Sequence, residues 1–299
     1  MHKSGYVAIV GLPNSGKSTL LNTLLGQKIA ITNMKPQTTR KRILGVLTEK
    51  DYQIIFFDTP GIIKSSYLLQ EKMMREVNQA LSDADVTLLM IDAANDPQGK
   101  KSLNHDFVKM LMSREHKNRI LILNKVDLIS QQQANDLINY FENLKLFTSI
   151  ILVSALHRFN MDKLVQTVIE NLPEGPSYYP DDVIAVENER FFVSEIIREK
   201  ILELYHEEIP YSCEVVVTDF KERENVKDYI NAEIIVERES QRKIIIGKDG
   251  TSIKKLGKIA RKAVEEFLQS KIFLELRVKV RNKWRSDENW LRKFGYGDK

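Results

Sequence analysis

The sequence predicts an α/β domain on a six-stranded, mixed but mostly parallel sheet, followed by a smaller α+β domain. Over the first ~170 of the 299 residues, short β-rich apolar runs alternate with amphipathic segments, the pattern of a sheet covered by helices. The proline-rich stretch Leu172-Pro173-Glu174-Gly175-Pro176-Ser177-Tyr178-Tyr179-Pro180 then forbids continued helix. Beyond it the candidate elements run α-β-β-α-α-β. These observations divide the chain into residues 1–172, a linker at 173–182, and a second domain with a C-terminal tail at 183–299.

In chain order, a strand at Tyr6–Val10 leads into the loop Gly11-Leu12-Pro13-Asn14-Ser15-Gly16-Lys17-Ser18 and a helix at Lys17–Leu25. Strands at Ile43–Leu47 and Gln53–Phe57 are joined by a short turn around Glu49-Lys50-Asp51, which makes them an antiparallel hairpin. Further strands fall at Val86–Ile91, Ile120–Leu123 and Ile150–Val153. Helices fall at Leu68–Leu81, Ser102–Met112, Gln131–Phe141 and Met161–Asn171, the last with Asn160 as its N-cap.

After the linker, Val193, Ile196, Ile197, Ile201 and Leu204 share one helical face. Strands at Glu214–Thr218 and Ile230–Val236 flank the charged turn Lys221–Lys227. Two helices enclose Gly247–Gly250, and a strand follows at Ile272–Val280.

A single cysteine, Cys213, excludes an internal disulfide and reads as a small buried residue. The five histidines, at positions 2, 105, 116, 157 and 206, lack metal-ligand spacing, so a reducing, cytoplasmic setting is expected. No apolar run approaches the ~18 residues of a membrane span. Met73 and Met74 read as filler of a helix face. The formal charge of +4 is unevenly spread: Arg242–Arg285 holds fourteen Lys or Arg against four Asp or Glu. Such a run is either a solvated helix face or, because it coincides with a glycine loop, a surface for nucleic acid.

The first loop fits the G-x-x-x-x-G-K-S pattern fully. Its glycines let backbone N–H groups converge on phosphate, Lys17 bridges the terminal phosphates, and the Ser18 hydroxyl ligates Mg²⁺. Asp58-Thr59-Pro60-Gly61 ends the third strand, where a carboxylate can hold Mg²⁺ through water and the Gly61 N–H can face the terminal phosphate. Asn124-Lys125-Val126-Asp127 ends the fifth, and a buried Asp127 carboxylate there can accept the ring N–H and exocyclic amine of guanine, which adenine cannot supply. Ser154-Ala155-Leu156 follows the sixth, where the Ala155 N–H can meet the guanine carbonyl. Each tetrapeptide alone is an ordinary loop; their order at successive strand ends is not.

Together these segments resemble the signatures of the translation-factor-like GTPases. The resemblance puts Thr38 and Thr39, within Pro36-Gln37-Thr38-Thr39-Arg40, in the first switch, with Thr39 closing on Mg²⁺ beside Ser18 and Asp58; composition alone reads that segment as a polar loop. It implies a nucleotide site of Gly11, Asn14, Ser15, Gly16, Lys17, Ser18, Thr19, Thr38, Thr39, Asp58, Gly61, Asn124, Lys125, Asp127, Ser154, Ala155 and Leu156. Lys17, Thr39 and Gly61 carry the hydrolysis. One position departs from Ras-like relatives: Ile62 stands where those place a water-orienting glutamine. Relatives with a hydrophobic residue there often hold K⁺ partly through the loop asparagine, which suggests slow, potassium-stimulated turnover with Asn14 as a K⁺ ligand. Asn14 as a plain turn residue stands equally.

Lys243-Ile244-Ile245-Ile246-Gly247-Lys248-Asp249-Gly250-Thr251-Ser252-Ile253-Lys254 resembles the signature of KH domains, and α-β-β-α-α-β is the order of their type II variant. A helix-turn-helix with Gly247 and Gly250 as caps is the competing reading. On the KH reading Ile246, Ile253 and Ile259 floor the base site, while Lys248, Lys254, Lys255, Lys258 and Arg261 meet phosphate around Gly247, Asp249 and Gly250. Trp284 and Trp290 in the tail either stack on bases or pack on the last strand.

A GTPase joined to a type II KH domain resembles the Era family over the whole chain. That resemblance implies binding of GTP or GDP with Mg²⁺, capture of single-stranded 3′ small-subunit ribosomal RNA, and a role in 30S subunit assembly. Peripheral association with the inner face of the cell membrane, and a monomer, are further expectations. An RNA-binding module whose nucleotide is a structural ligand, and an RNA-modifying enzyme subunit, are the alternatives; the second needs a further catalytic constellation that is not visible.

Overall fold

The computed structural model describes residues 2–113, 118–223 and 226–297; His116 and two residues of the charged turn at 221–227 lie outside them. Two compact units make up the chain, Met1–Lys64 with Met73–Val186, and Ser65–Lys72 with Glu187–Lys299.

The first unit carries β1 (Lys3–Gly11), α1 (Lys17–Leu25), β2 (Ile43–Glu49), β3 (Tyr52–Asp58), α2 (Leu68–Asp83) from Met73 onward, β4 (Val86–Asp92), α3 (Lys100–Leu103), α4 (Asp106–Ser113), β5 (Arg119–Asn124), α5 (Gln131–Leu144), β6 (Ser149–Val153) and α6 (Met161–Asn171). The sheet order is β2-β3-β1-β4-β5-β6, with β2 antiparallel to β3 and every other pair parallel. Central β1 is buried on both faces through Val7, Ala8, Ile9 and Val10, as its unbroken apolar run requires. Each such Val or Ile stabilises the fold by ~1.5–3 kcal/mol relative to leaving it exposed. Met73 and Met74 are likewise buried.

Caps explain where the helices stop and start. Gly26, at φ 66°, terminates α1, and a reciprocal box between Ser130 and Gln133 opens α5. The helix expected at Ser102–Met112 is two, α3 and α4. The Asp96 carboxylate accepts the N–H groups of Lys101 and Ser102, which starts α3 early, and α3 ends at Asn104 before a new start at Asp106. Asn160 does precede α6, but it has φ 65° and its side chain donates to Leu152 O instead of capping.

The segment expected as a linker packs on the first unit. Ser4 Oγ donates to Pro176 O, the Tyr178 and Tyr179 N–H groups donate to Gln53 Oε1, and Val46 N–H donates to Ile184 O.

The second unit contains α7 (Glu189–Leu204), α8 (Ile209–Ser212), β7 (Glu214–Lys221), β8 (Asp228–Val236), α9 (Glu239–Ile246), α10 (Thr251–Leu268), β9 (Ile272–Val280) and α11 (Glu288–Lys293). Its sheet runs β7-β8-β9, β7 antiparallel and β9 parallel to β8. One core joins Val193, Ile197 and Ile201 of α7 to Ile230 and Ile234 of β8 and to Leu256, Ala260 and Val264 of α10. Cys213 is buried in it. Trp284 is fully buried, its Nε1–H donating to Ser212 O at 3.0 Å, so the first tail tryptophan packs. Trp290 stacks on Phe294 with Arg281 and Lys293 against its ring. No helix among the described residues is long and apolar enough to cross a membrane.

Candidate nucleotide and nucleic-acid sites

Gly11, Asp58 and Asn124 are the last residues of β1, β3 and β5, and Ser154 directly follows β6. Parallel strands end on one side of the sheet, so these four loops meet there, where ligands of such sheets bind. Their loops border a cavity of about 830 Å³ lined by Asn14, Ser15, Gly16, Lys17, Ser18, Thr19, Thr38, Thr39, Gly61, Asn124, Lys125, Asp127, Ser154, Ala155 and Leu156; Gly11 and Asp58 are not among its lining residues.

The loop backbone leaves no room for side chains at its glycines. A Cβ on Gly11 would lie 2.4 Å from Met90 O, and one on Gly16, at φ 102°, 2.3 Å from Asn124 Nδ2. Lys17 is buried, and its ammonium donates to Gly11 O at 3.2 Å and Leu12 O at 3.1 Å. Burial lowers its pKa to about 8, opposed by the nearby Asp58 charge.

Ser18 Oγ lies 2.9 Å from Thr39 Oγ1 and donates to Asp58 Oδ2 at 2.7 Å, and Thr39 Oγ1 donates to the same Oδ2 at 3.2 Å. Burial raises the Asp58 pKa against the pull of those hydrogen bonds and of Lys17. Asp58 Oδ1 is buried with no hydrogen-bond partner among the described residues. Three converging oxygens and an orphaned carboxylate oxygen fit a hard, oxygen-seeking divalent cation such as Mg²⁺. Thr38 turns away, donating to Lys35 O at 2.7 Å, so of the two switch threonines it is Thr39 that reaches this cluster.

Ile62 is buried in the core, and its N–H donates to Gly11 O at 3.0 Å. Asn14 has φ 64° and its amide donates to Met34 O at 2.7 Å, tying the phosphate loop to the segment ahead of Thr39.

On the base side, Asn124 bridges two loops: its Nδ2 donates to Ser15 O at 2.8 Å and its Oδ1 accepts the Ala155 N–H at 3.0 Å. A guanine contact by the Ala155 N–H would therefore exchange an existing bond. The expected burial of Asp127 is corrected. It sits on the exposed turn Val126–Leu128, with His157 Nε2 3.7 Å from its Oδ2. Leu156 is exposed at the cavity rim.

The sequence reading missed Asp92, whose Oδ2 accepts from Lys125 Nζ at 2.5 Å. Burial pushes its pKa up, but hydrogen bonds from Asn95 and Lys125 outweigh that and hold it low. Its position at the end of β4, level with Asn124 at the end of β5, was the available signal.

In the second unit α9 ends at Gly247 and α10 begins after Gly250, with a tight turn at Lys248–Gly250 between them. Gly247 and Gly250 have φ 72° and 74°, and a Cβ on Gly247 would lie 2.3 Å from Ser252 Oγ. Ile246, Ile253 and Ile259 are half-buried, whereas Lys248, Asp249, Lys254, Lys255, Lys258 and Arg261 are exposed. Lys248, Lys254, Lys255 and Lys258 are in no ion pair among the described residues, whereas Arg261 is close enough to Glu265 to help Lys271 hold that carboxyl's pKa low. Ile244 is half exposed and was not anticipated.

Residues 6–125 match the family model described as 50S ribosome-binding GTPase, and residues 208–285 match the KH domain model. The chain is 45% identical over 301 residues to GTPase Era of Syntrophus aciditrophicus, covering 100% of this chain and 96% of that one. It is 44% identical to the chloroplastic GTPase ERA1 of Zea mays, covering 99% and 71%. It also resembles, with TM-score 0.90 and 40% identity over 100% of both chains, a solved Era in complex with MgGDPNP and nucleotides 1506–1542 of 16S ribosomal RNA. A second solved Era, an Aquifex aeolicus variant bound to GDP.AlF4-, gives TM-score 0.91 at 40% identity, covering 99% and 100%. The likeness runs over the full length of these relatives, and the chain belongs to the Era family of GTPases.

Proposed function

We propose that this chain is a GTP-hydrolysing switch that captures the single-stranded 3′ region of small-subunit ribosomal RNA during 30S assembly. The observation that carries the proposal is the full-length likeness to an Era solved with both a GTP analogue and a 16S fragment. In support, the Ser18–Thr39–Asp58 oxygens suit Mg²⁺, which would neutralise charge between the terminal phosphates. Lys17 meets the phosphates, Gly61 offers its N–H to the terminal one, and Asp127 reads guanine. Gly247–Gly250 takes the RNA backbone where only glycine permits close approach, with Lys254, Lys258 and Arg261 on the phosphates.

Turnover is slow, because the side chain at Ile62 is committed to the core and none there orients water. Potassium stimulates it through Asn14, whose amide N–H donates to Met34 O and holds the side chain between the phosphate loop and the segment ahead of Thr39. The protein acts as a cytoplasmic monomer with peripheral membrane association, a reading that rests on family membership.

The test is RNA affinity at fixed salt with a GTP analogue, with GDP and without nucleotide. Tighter binding with the analogue is expected; equal affinity in all three states reduces the chain to two independent binding sites. Equal turnover in Na⁺ and K⁺ removes the potassium role.

A further inference from the structure

A helix that stops inside a protein leaves its last carbonyls without amide partners, and each buried one needs a substitute donor. α9 stops at Ile246, and its final backbone bond runs from Gly247 N–H to Lys243 O at 2.8 Å. Had the helix continued, Ile245 O would take the N–H of Asp249, four residues on. Gly247, at φ 72° and ψ 173°, turns the chain away instead, and Ile245 O accepts the hydroxyl of Tyr205 at 2.9 Å.

Tyr205 follows the last residue of α7, where its own N–H closes that helix on Ile201 O. Its ring lies in the core beside Ile245 and Cys213. Burial, with Cys213 adding to it, pushes its pKa up to about 12, so the hydroxyl stays a donor across the neutral range. The bond is buried and spans 40 positions of chain. Beyond it the turn is held by short-range bonds, from Gly250 N–H to Gly247 O at 3.3 Å and from Thr251 Oγ1 to Lys248 O at 2.8 Å.

Removing the hydroxyl would leave a buried carbonyl without that donor, a state that costs more than the bond itself contributes. The Asp249 amide is the donor that a longer α9 would bring to it. Asp249 sits at φ 53° and ψ 26°, and Gly247 before it can adopt helical angles as readily as its present ones. An α9 extended in this way would spend on its own carbonyl an amide of the turn that faces RNA phosphate.

We propose that Tyr205 is a positioning residue of the RNA turn: by occupying Ile245 O, its hydroxyl stops α9 from running on through Gly247 and leaves the Asp249 N–H to a phosphate. The proposal rests on the RNA reading of Gly247–Gly250 and adds a residue more than forty positions upstream that keeps the turn open.

The test uses the full chain, an oligonucleotide of the 3′ end of small-subunit ribosomal RNA, and amide hydrogen exchange over residues 247–251. Tyr205→Phe keeps the ring and removes the hydroxyl. It is expected to keep affinity for a GTP analogue, to weaken the RNA by roughly 3–10-fold, and to slow exchange at residues 248–250 in the absence of RNA, as α9 takes up the Asp249 amide. Tyr296→Phe is the control, since it removes another buried hydroxyl bond, to Glu214 Oε2 at 2.7 Å, and should lower Tm while leaving RNA affinity and the exchange of the turn unchanged. Unchanged RNA affinity in Tyr205→Phe overturns the proposal. So does a loss that comes with faster exchange throughout the second unit, or one that Tyr296→Phe reproduces, because either marks a general loss of stability. Gly250→Asp, run alongside, tests the RNA reading itself. If it binds RNA normally, the RNA site is misplaced and the role of Tyr205 falls with it; if it loses RNA while Tyr205→Phe keeps it, only the role of Tyr205 fails.

Discussion

Ser18 Oγ donates to Asp58 Oδ2 at 2.7 Å, joining the first turn of α1 to the last residue of β3. The second carboxylate oxygen is left buried and unpaired, so Asp58 is held in place by one oxygen and available through the other. Asp58→Asn is expected to weaken Mg²⁺-dependent GTP binding by roughly 10–100-fold. Titrating nucleotide at low and high Mg²⁺ checks this; an unaltered Mg²⁺ requirement would contradict the assignment.

On the proposed function Asp127 reads guanine, yet its side chain is partly exposed. Asp127→Asn should lower GTP affinity by about 10²-fold, short of the 10⁴–10⁵ of a fully desolvated polar site. The variant should gain affinity for xanthosine nucleotide, whose carbonyl accepts from the new amide. Competition between the two nucleotides measures the exchange.

Lys17, with its pKa lowered to about 8 by burial, gives a pH signature. Phosphate binding needs the ammonium, so GDP affinity should be level below pH 7 and fall above about 8. Binding near pH 8.5 takes up a proton, detectable by calorimetry in buffers of different ionisation enthalpy. The stability sign is opposite. The unfolded chain holds this proton up to 10.5, so the Lys17 contribution to nucleotide-free stability rises with pH between about 8 and 10.5. A nucleotide affinity independent of pH from 7 to 9.5 would show that Lys17 is not the phosphate cation.

Lys254 and Lys258 lie one turn apart on the exposed face of α10. Replacing both with alanine should weaken RNA of any sequence and reduce the slope of log affinity against log salt by roughly 1–2 units. GTP hydrolysis without RNA should be unchanged. An unaltered salt slope would place the phosphates elsewhere.

Trp284 is enclosed, with its indole N–H on Ser212 O. Trp284→Ala should cost about 3–5 kcal/mol of stability. Denaturant unfolding of the full chain reads that loss, and a change below ~1 kcal/mol would refute its core role.

The strands of both sheets, the hairpin of β2 and β3, and the α-β-β-α-α-β order were legible because each rests on local periodicity and turn chemistry. Less legible were features set by side chains distant in sequence. The split of α3 from α4 depends on Asp96 reaching forward to Lys101 and Ser102. The packing of residues 173–186 depends on Gln53 and Ser4 meeting backbone more than a hundred positions away. Asp92 escaped notice for the same reason, since its part in holding Lys125 follows from strand register and not from a motif.

Asn124 has one amide for two neighbours, the phosphate loop at Ser15 and the base loop at Ala155. Its nitrogen can only give and its oxygen can only receive, so the two loops hold a fixed spacing as long as both bonds stand. An aspartate there would break the Ser15 bond, and a leucine would break both. A change to this one side chain therefore reaches the Gly11–Ser18 loop and the Ser154–Leu156 loop at once, and a single amide sets the spacing of two segments that lie 109 and 31 positions from it.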